Sequence, residues 1–138
     1  MYLKKLQDCP EFIARDNSVL REMLHPDKAD LQLRYSLAHA IVAPGMDTLP
    51  HSLRTSEVYY IIEGKGIMNI SDEECEVGMG DTIYIPPFAV QHIKNTGTTD
   101  LIFIQKIHSR PNLMKLLSLS KSFFPIVVVS KFTIIPTR

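Results

Sequence analysis

Cysteine is scarce. The 138 residues hold two, Cys9 and Cys75, which lie far apart and in no spacing that forms a metal or redox pair. Cysteine-ligated metal motifs and thiol redox motifs are thereby excluded, and the usage fits a reduced, cytoplasmic setting. Long apolar runs are also missing. The opening MYLKKLQDCPEF lacks the apolar core of a signal peptide, and PIVVVS near the end is too short to span a membrane. Excess charge of either sign is absent, with 15 basic and 15 acidic residues. The balance is uneven, however: residues 1–105 carry 9 basic and 15 acidic side chains, and residues 106–138 carry 6 basic and none acidic. The tail's basic residues are spread out, and its aromatics are only Phe123, Phe124 and Phe132, so no nucleic-acid partner is expected. With 45% apolar residues the chain is expected to form one soluble domain with a real core.

What is present concentrates in two blocks. Gly45 to Gly64 reads GMDTLPHSLRTSEVYYIIEG, and Gly80 to Asn95 reads GDTIYIPPFAVQHIKN. His51 follows Gly45 by six residues, Glu57 follows His51 by six, and Gly64 follows Glu57 by seven. If 51–63 is mainly extended, the even spacing places His51, Leu53 and Glu57 on one face. In the second block Asp81, Ile83 and Ile85 alternate with Thr82 and Tyr84 until Pro86 and Pro87 end the strand. Gln91, Ile93 and Asn95 share a parity in the strand that follows, and His92 has the other.

These residues resemble the motifs of the cupins, small double-sheet barrels of the jelly-roll type. The first cupin motif carries a glycine, His-x-His, a glutamate and a glycine. The second carries a glycine, a proline, a glycine, a histidine and an asparagine. Gly45, His51, Glu57 and Gly64 match the first, and Gly80, Pro86 and Asn95 match the second. Leu53 stands in place of the second histidine, Phe88 in place of a turn glycine, and Gln91 in place of the last histidine. The resemblance covers roughly Asp16 to Gln105 and is nearest to small single-domain cupins of unassigned function. It implies an all-β fold, a cupin-type double-stranded β-helix. Residues 1–30 would form an N-terminal arm and edge strand, 31–109 the barrel, and 110–138 an atypical tail of a helix plus a β-prone segment. A homodimer is implied too, because cupins often pair or exchange terminal strands.

Taken in order, Met1 to Arg15 reads as an arm or a short helix. SVLREMLHP, Ser18 to Pro26, fits helical spacing but is assigned to an edge strand on the resemblance. Arg34 to Ala43 is a clearer strand, with Tyr35, Leu37, His39 and Ile41 on the larger face, which is expected to line the barrel. His39 is then either an extra ligand or substrate contact, or a core histidine hydrogen-bonded to a neighbour. In EVYYIIEG an inward Glu57 brings Tyr59 and Ile61 with it, and Glu63 to Gly66 form a turn whose glycines supply positive φ. LIFIQKI closes the barrel as a run apolar on both faces. In the tail, Leu113, Leu116, Leu117 and Phe124 fall at helical spacing, and FPIVVVSKFTII is β-prone. That tail either packs over a barrel opening, mediates self-association, or is a non-family end from an altered reading frame. A bare PIVVV edge is an aggregation hazard, so a cover or partner is expected.

A full cupin site offers three histidines and a glutamate to Mn, Fe, Ni, Cu or Zn. His51 and Glu57 remain here, and Gln91 adds a neutral amide oxygen, so the resemblance implies at most one weakly held divalent transition metal. The pocket residues expected around it are His39, Leu53, Tyr59 and Phe88, with Leu53 as an apolar wall and Tyr59 and Phe88 at the core or rim. Plainer roles stand beside these. Glu57 would be a buried carboxylate paired with Arg54 or a tyrosine hydroxyl, since burial raises its pKa without such a partner. His51 would be a hydrogen-bonded residue of the barrel mouth, and Gln91 a hydrogen-bonding residue. Two functions follow: a cupin that binds a small polar ligand, a sugar or an acid, or a metal-dependent cupin enzyme of dioxygenase or sugar-isomerase type. No catalytic residue is assigned.

Overall fold

The computed structural model describes residues 1–109, so the expected helix and β-prone segment of 110–138 lie outside the described residues. A 3-10 turn, Leu6–Asp8, precedes nine strands. These are β1 (Glu11–Ile13), β2 (Val19–Leu24), β3 (Tyr35–Val42), β4 (Glu57–Glu63), β5 (Lys65–Ile70), β6 (Glu73–Gly78), β7 (Thr82–Ile85), β8 (Gln91–Asn95) and β9 (Leu101–His108). They form a six-stranded sheet in the order β1-β2-β3-β9-β4-β7 and a three-stranded sheet in the order β6-β5-β8. Every pairing is antiparallel. The segment SVLREMLHP is a strand, as expected, but β1 pairs outside it and takes the sheet edge.

Register fixes what faces inward. Ala40 lies opposite Phe103, and Phe103 opposite Ile61. On the other sheet Met68 lies opposite Ile93. All five are buried and belong to one apolar cluster with Leu20, Val42, Tyr59, Val77, Ile85, Ala89 and Leu101. The inward face of β3 is therefore Ala38, Ala40 and Val42, and the expectation that Tyr35, Leu37, His39 and Ile41 line the barrel is corrected. Small side chains go inward because their partners on β9 are Gln105, Phe103 and Leu101, which already fill that layer.

The two sheets are joined on both sides, by residues 47–51 beside β8 and by the turn of residues 79–81 between β6 and β7. Residues 47–51 run beside β8, bridging Asp47 to Lys94 and His51 to Gln91. The Leu49 amide donates to the Asp16 carbonyl at 2.8 Å and so reaches the β1–β2 turn of the larger sheet. On the opposite side β6 and β7 each end their sheet, and between them lies a groove of about 430 Å³. Met68, Ile70, Val77 and Ile83 form its apolar part, and Glu73, Glu74, Glu76 and Asp81 its acidic part.

Two motif positions do purely structural work. Gly64 takes φ +85° between β4 and β5, and a Cβ there would lie 2.5 Å from the Asp100 carbonyl oxygen. Gly66 has no positive φ, contrary to the turn expected there; it is small because a Cβ would collide with the Lys94 carbonyl oxygen of β8 and also sit 2.9 Å from a Leu101 methyl. Asn95 is fully buried. Its Nδ2 donates to the Val42 and Thr99 carbonyls, each at 2.8 Å, and its Oδ1 accepts from the Gly97 amide at 2.8 Å. One side chain thus ties β8, the end of β3 and the β8–β9 turn together.

Candidate functional site

Glu57 opens β4 and points inward because its parity is that of Tyr59 and Ile61. Gln91 opens β8 on the facing sheet with the inward parity of Ile93 and Asn95. They meet across the barrel: Gln91 Nε2 donates to Glu57 Oε2 at 2.5 Å, and both residues are almost wholly buried. Gln91, rather than Arg54 or a tyrosine hydroxyl, is therefore the partner of the glutamate. Burial disfavours the charged carboxylate and pushes the Glu57 pKa from 4.5 up to about 7, with Asp16 adding to the rise, while the Gln91 hydrogen bond and His51 hold it back. Gln91 Oε1 is buried and meets no hydrogen-bond donor among the described residues.

His51 joins them from the strand-like 47–51 segment. Its backbone exchanges both hydrogen bonds with Gln91, at 3.1 and 2.8 Å, so the two side chains share a face. Its Nδ1 lies 2.9 Å from the Leu49 carbonyl. A carbonyl only accepts, so Nδ1 carries the proton, and in the neutral ring Nε2 keeps a lone pair for a ligand. The structure gathers His51, Glu57 and Gln91, but not by the expected extended run. After His51 the chain leaves the smaller sheet, and residues 52–56 form a loop before β4 begins in the larger one. Leu53 belongs to that loop, and its carbonyl accepts from the Phe88 amide at 2.6 Å.

His39 does not join them. It sits opposite Arg21 and Ile104 on the outer face of the larger sheet, and its expected place in the pocket is corrected. Its Nδ1 is buried and has no partner among the described residues, and burial, then the Arg21 charge, lower its pKa. His39→Leu is expected to leave Mn²⁺ uptake, followed by calorimetric titration, unchanged. Because an unpaired buried nitrogen is removed, stability should stay within about 1 kcal/mol of the original or rise slightly. A loss of uptake would return His39 to the site.

Tyr59 is a core residue, 3% exposed, with its ring centroid 4.4 Å from that of Phe103. Burial, then Glu57 and Asp16, hold its pKa well above 10. Phe88 lies at the rim, with its side chain outward. His92 faces out and pairs with Asp47 at 2.8 Å. Two residues of the site region escaped the sequence reading. Gln105 is buried opposite Tyr59 on β9, and its shared parity with Leu101 and Phe103 was the available signal. Asp16 acts on Glu57 from the β1–β2 turn, where it accepts from the Ser18 hydroxyl at 2.6 Å. The Asp-Asn-Ser spelling of a side-chain-capped turn was the only hint.

Among the described residues no three His, Cys, Asp or Glu side chains gather as a metal cluster, so an ion here would take its third donor from the Gln91 amide. The donor set fits such an ion: an imidazole nitrogen with its lone pair available, a buried carboxyl and an amide oxygen lacking any donor. No helix among the described residues is long and apolar enough to cross a membrane.

Comparison with known proteins bears on this geometry. A cupin domain model matches residues 38–105. An uncharacterised protein of Methanocaldococcus jannaschii is 47% identical over 91 residues, which make 65% of this chain and 72% of that protein. A glucose-6-phosphate isomerase of Thermococcus kodakarensis is 29% identical over 87 residues, 59% of this chain, and the chain spans only 41% of that enzyme's length. Among solved structures, a cupin 2 conserved barrel domain protein of Salinispora arenicola superposes with a TM-score of 0.71 over 87% of this chain and 98% of its own, at 13% identity, which is a likeness of fold.

Proposed function

The chain belongs to the cupin family, and on that premise we propose that its barrel binds a small polar ligand, together with a weakly held divalent metal, between Glu57 and Gln91. The carrying observation is the buried pair itself: a carboxyl near neutrality bonded to an amide whose oxygen is left without a donor. A buried acceptor without a partner costs roughly 1–3 kcal/mol, which a ligand hydroxyl or a cation would recover. His51 Nε2, Glu57 and Gln91 Oε1 would hold the metal, Mn, Fe, Ni, Cu or Zn, and the set is weak because Leu53 and Gln91 occupy the places of imidazoles. Titration of the metal-free protein with these ions is expected to show one site of modest affinity, weakened about tenfold or more by His51→Ala, since an imidazole donor is lost. No uptake of any of them would sink the metal part of the reading.

A second reading is sugar isomerisation, favoured by the likeness to the Thermococcus kodakarensis glucose-6-phosphate isomerase. A bound divalent ion would supply Lewis acidity toward a substrate oxygen. Glu57, in the case where it is not itself a ligand of that ion and keeps its pKa of about 7, would take a proton from one sugar carbon and return it to the next, because a group poised near neutrality serves as both base and acid. The buried walls around it keep bulk water from that proton. Conversion of glucose 6-phosphate to fructose 6-phosphate, lost in Glu57→Gln, would establish this reading. An inert chain that still binds metal or sugar would leave the binding barrel.

A further inference from the structure

The groove between β6 and β7 is a gap in the barrel wall. Each of these strands ends its sheet, so each presents one row of backbone N–H and C=O groups with no strand beside it. Side chains that face the interior are uncovered there. Cys75 lies directly opposite Met68 and shares its face, yet Met68 is buried and Cys75 is exposed. Ile83 has the inward parity of Ile85 and lies opposite the buried Tyr59, yet it is only half-buried. Beside them Glu73, Glu74 and Glu76 form no ion pair among the described residues. The gap suits an extended, apolar segment that carries positive charge.

The chain's own tail has that chemistry. Residues 110–138 contain Arg110, Lys115, Lys121, Lys131 and Arg138 and no acidic residue. Between Pro125 and Pro136 runs IVVVSKFTII, with Val128, Ser130, Phe132 and Ile134 at one parity and Lys131 at the other. The tail also starts in the right place. Ile107, Glu57 and Ile85 stand in one row across β9, β4 and β7, so β9 finishes two strand spacings, about 10 Å, from the end of β7. Residues 110–124, at about 3.3 Å each when extended, can cover that distance several times over. The turn of residues 79–81 closes the groove's far end, so entry is from the end at Ile85. A segment entering there runs antiparallel to β7, as every paired strand in the fold runs to its neighbour.

We propose that residues 126–135 fill this groove as a tenth strand of the same chain, antiparallel to β7, with Phe132 on the apolar floor and Lys131 among the carboxylates of β6. Lys131 then lies on the face of Glu74 and Glu76, which have the parity opposite to the inward Cys75 and Val77. The β-prone run and the two open edges cover one another, which removes both aggregation hazards at once. This inference does not depend on the binding reading above.

The test uses the full chain and the Cys75 thiol as probe, since Cys9 is only 2% exposed. Reaction with dithionitrobenzoate is expected to be about tenfold faster in Phe132→Asp than in the unaltered protein, because a carboxylate on the apolar floor beside Glu73 expels the segment and bares the thiol. Phe132→Leu should react within about twofold of the unaltered rate, because it keeps an apolar contact. Cys9 stays silent wherever the barrel is intact, so a reacting Cys9 marks an unfolded variant, and the second measurement then decides. A zero-length carbodiimide is expected to join Lys131 to Glu74 or Glu76 in the unaltered protein, as mapped by peptide mass spectrometry. In a mixture of isotope-labelled and unlabelled protein the joined peptides should carry a single label state. Mixed pairs would place a second copy's tail in the groove and overturn the assignment. Equal Cys75 rates in all three proteins with Cys9 silent, or no link from Lys131 to β6, would overturn the proposal as well.

Discussion

Glu57→Gln is expected to make the metal-free protein more stable at pH 8 by roughly 3 kcal/mol, and at the same time to abolish the metal uptake proposed above. The carboxyl titrates at 4.5 in the unfolded chain and at about 7 in the fold, so the fold prefers the protonated form. Below pH 4.5 both states are protonated and that preference costs nothing. Between pH 4.5 and about 7 the unfolded chain has released the proton that the fold still holds, and stability falls by about 1.4 kcal/mol per pH unit. Above pH 7 the deficit is constant. Glutamine keeps the shape and an oxygen for the Gln91 amide but has no proton to lose, so its stability should stay flat across the same range. Urea melts from pH 4.5 to 8.5 measure both curves, and parallel curves would show that Glu57 carries its charge in the fold at no cost. Divalent metal sharpens the comparison. It should restore the original protein at pH 8, because a cation beside the carboxylate reverses the penalty, and do nothing for Glu57→Gln.

Asn95→Ala is expected to cost roughly 4 kcal/mol, because it strands the Val42 and Thr99 carbonyls and the Gly97 amide, each in contact with a fully buried side chain. That is a large share of a typical folding free energy of about 5–15 kcal/mol. The urea midpoint should fall with an unchanged slope, since the surface exposed on unfolding is nearly the same. Asn95→Asp should recover little, because it keeps the acceptor for Gly97 and loses both donors. A loss below about 1 kcal/mol would mean that water replaces all three bonds. The motif asparagine is thus a fastener between strands, set apart from the chemistry of the barrel.

Much of this was legible from alternation alone. The shared parity of Gln91, Ile93 and Asn95 and the opposite parity of His92 follow from a period of two, whereas the β2 segment fits helical spacing and is a strand only on the resemblance. Alternation says which residues share a face and is silent on which face is inside. For β3 the larger side chains suggested the wrong answer, because the space between β3 and its partners was already taken by Phe103 and Gln105, and only Ala38 and Ala40 fit. The same limit moved His39 from the pocket to the outside. His51 and Glu57 come near each other for a reason other than the one expected. Their even spacing belongs to no single strand, and they meet because the chain changes sheets between them and both walls face one interior. The Glu57 partner lies 34 residues along the chain, and only the order of strands in the sheets reveals it. Phe88 was visible as a departure from a turn glycine, and its positive φ is the physical content of that departure.

The two sheets are bound like a book with a spine at residues 47–51 and a tie across the fore-edge, where Ile61 exchanges backbone hydrogen bonds with Gly80 and Asp81. Residues 47–51 stitch the spine, holding β8 and, through Leu49 and Asp16, the far corner of the larger sheet. Along the fore-edge the groove separates β6 from β7, and the turn of residues 79–81 joins them at one end. His51 and Gln91 sit at the spine, and the Glu57 bond to Gln91 is a clasp between the covers. With the covers tied at both edges, that clasp is held from both sides.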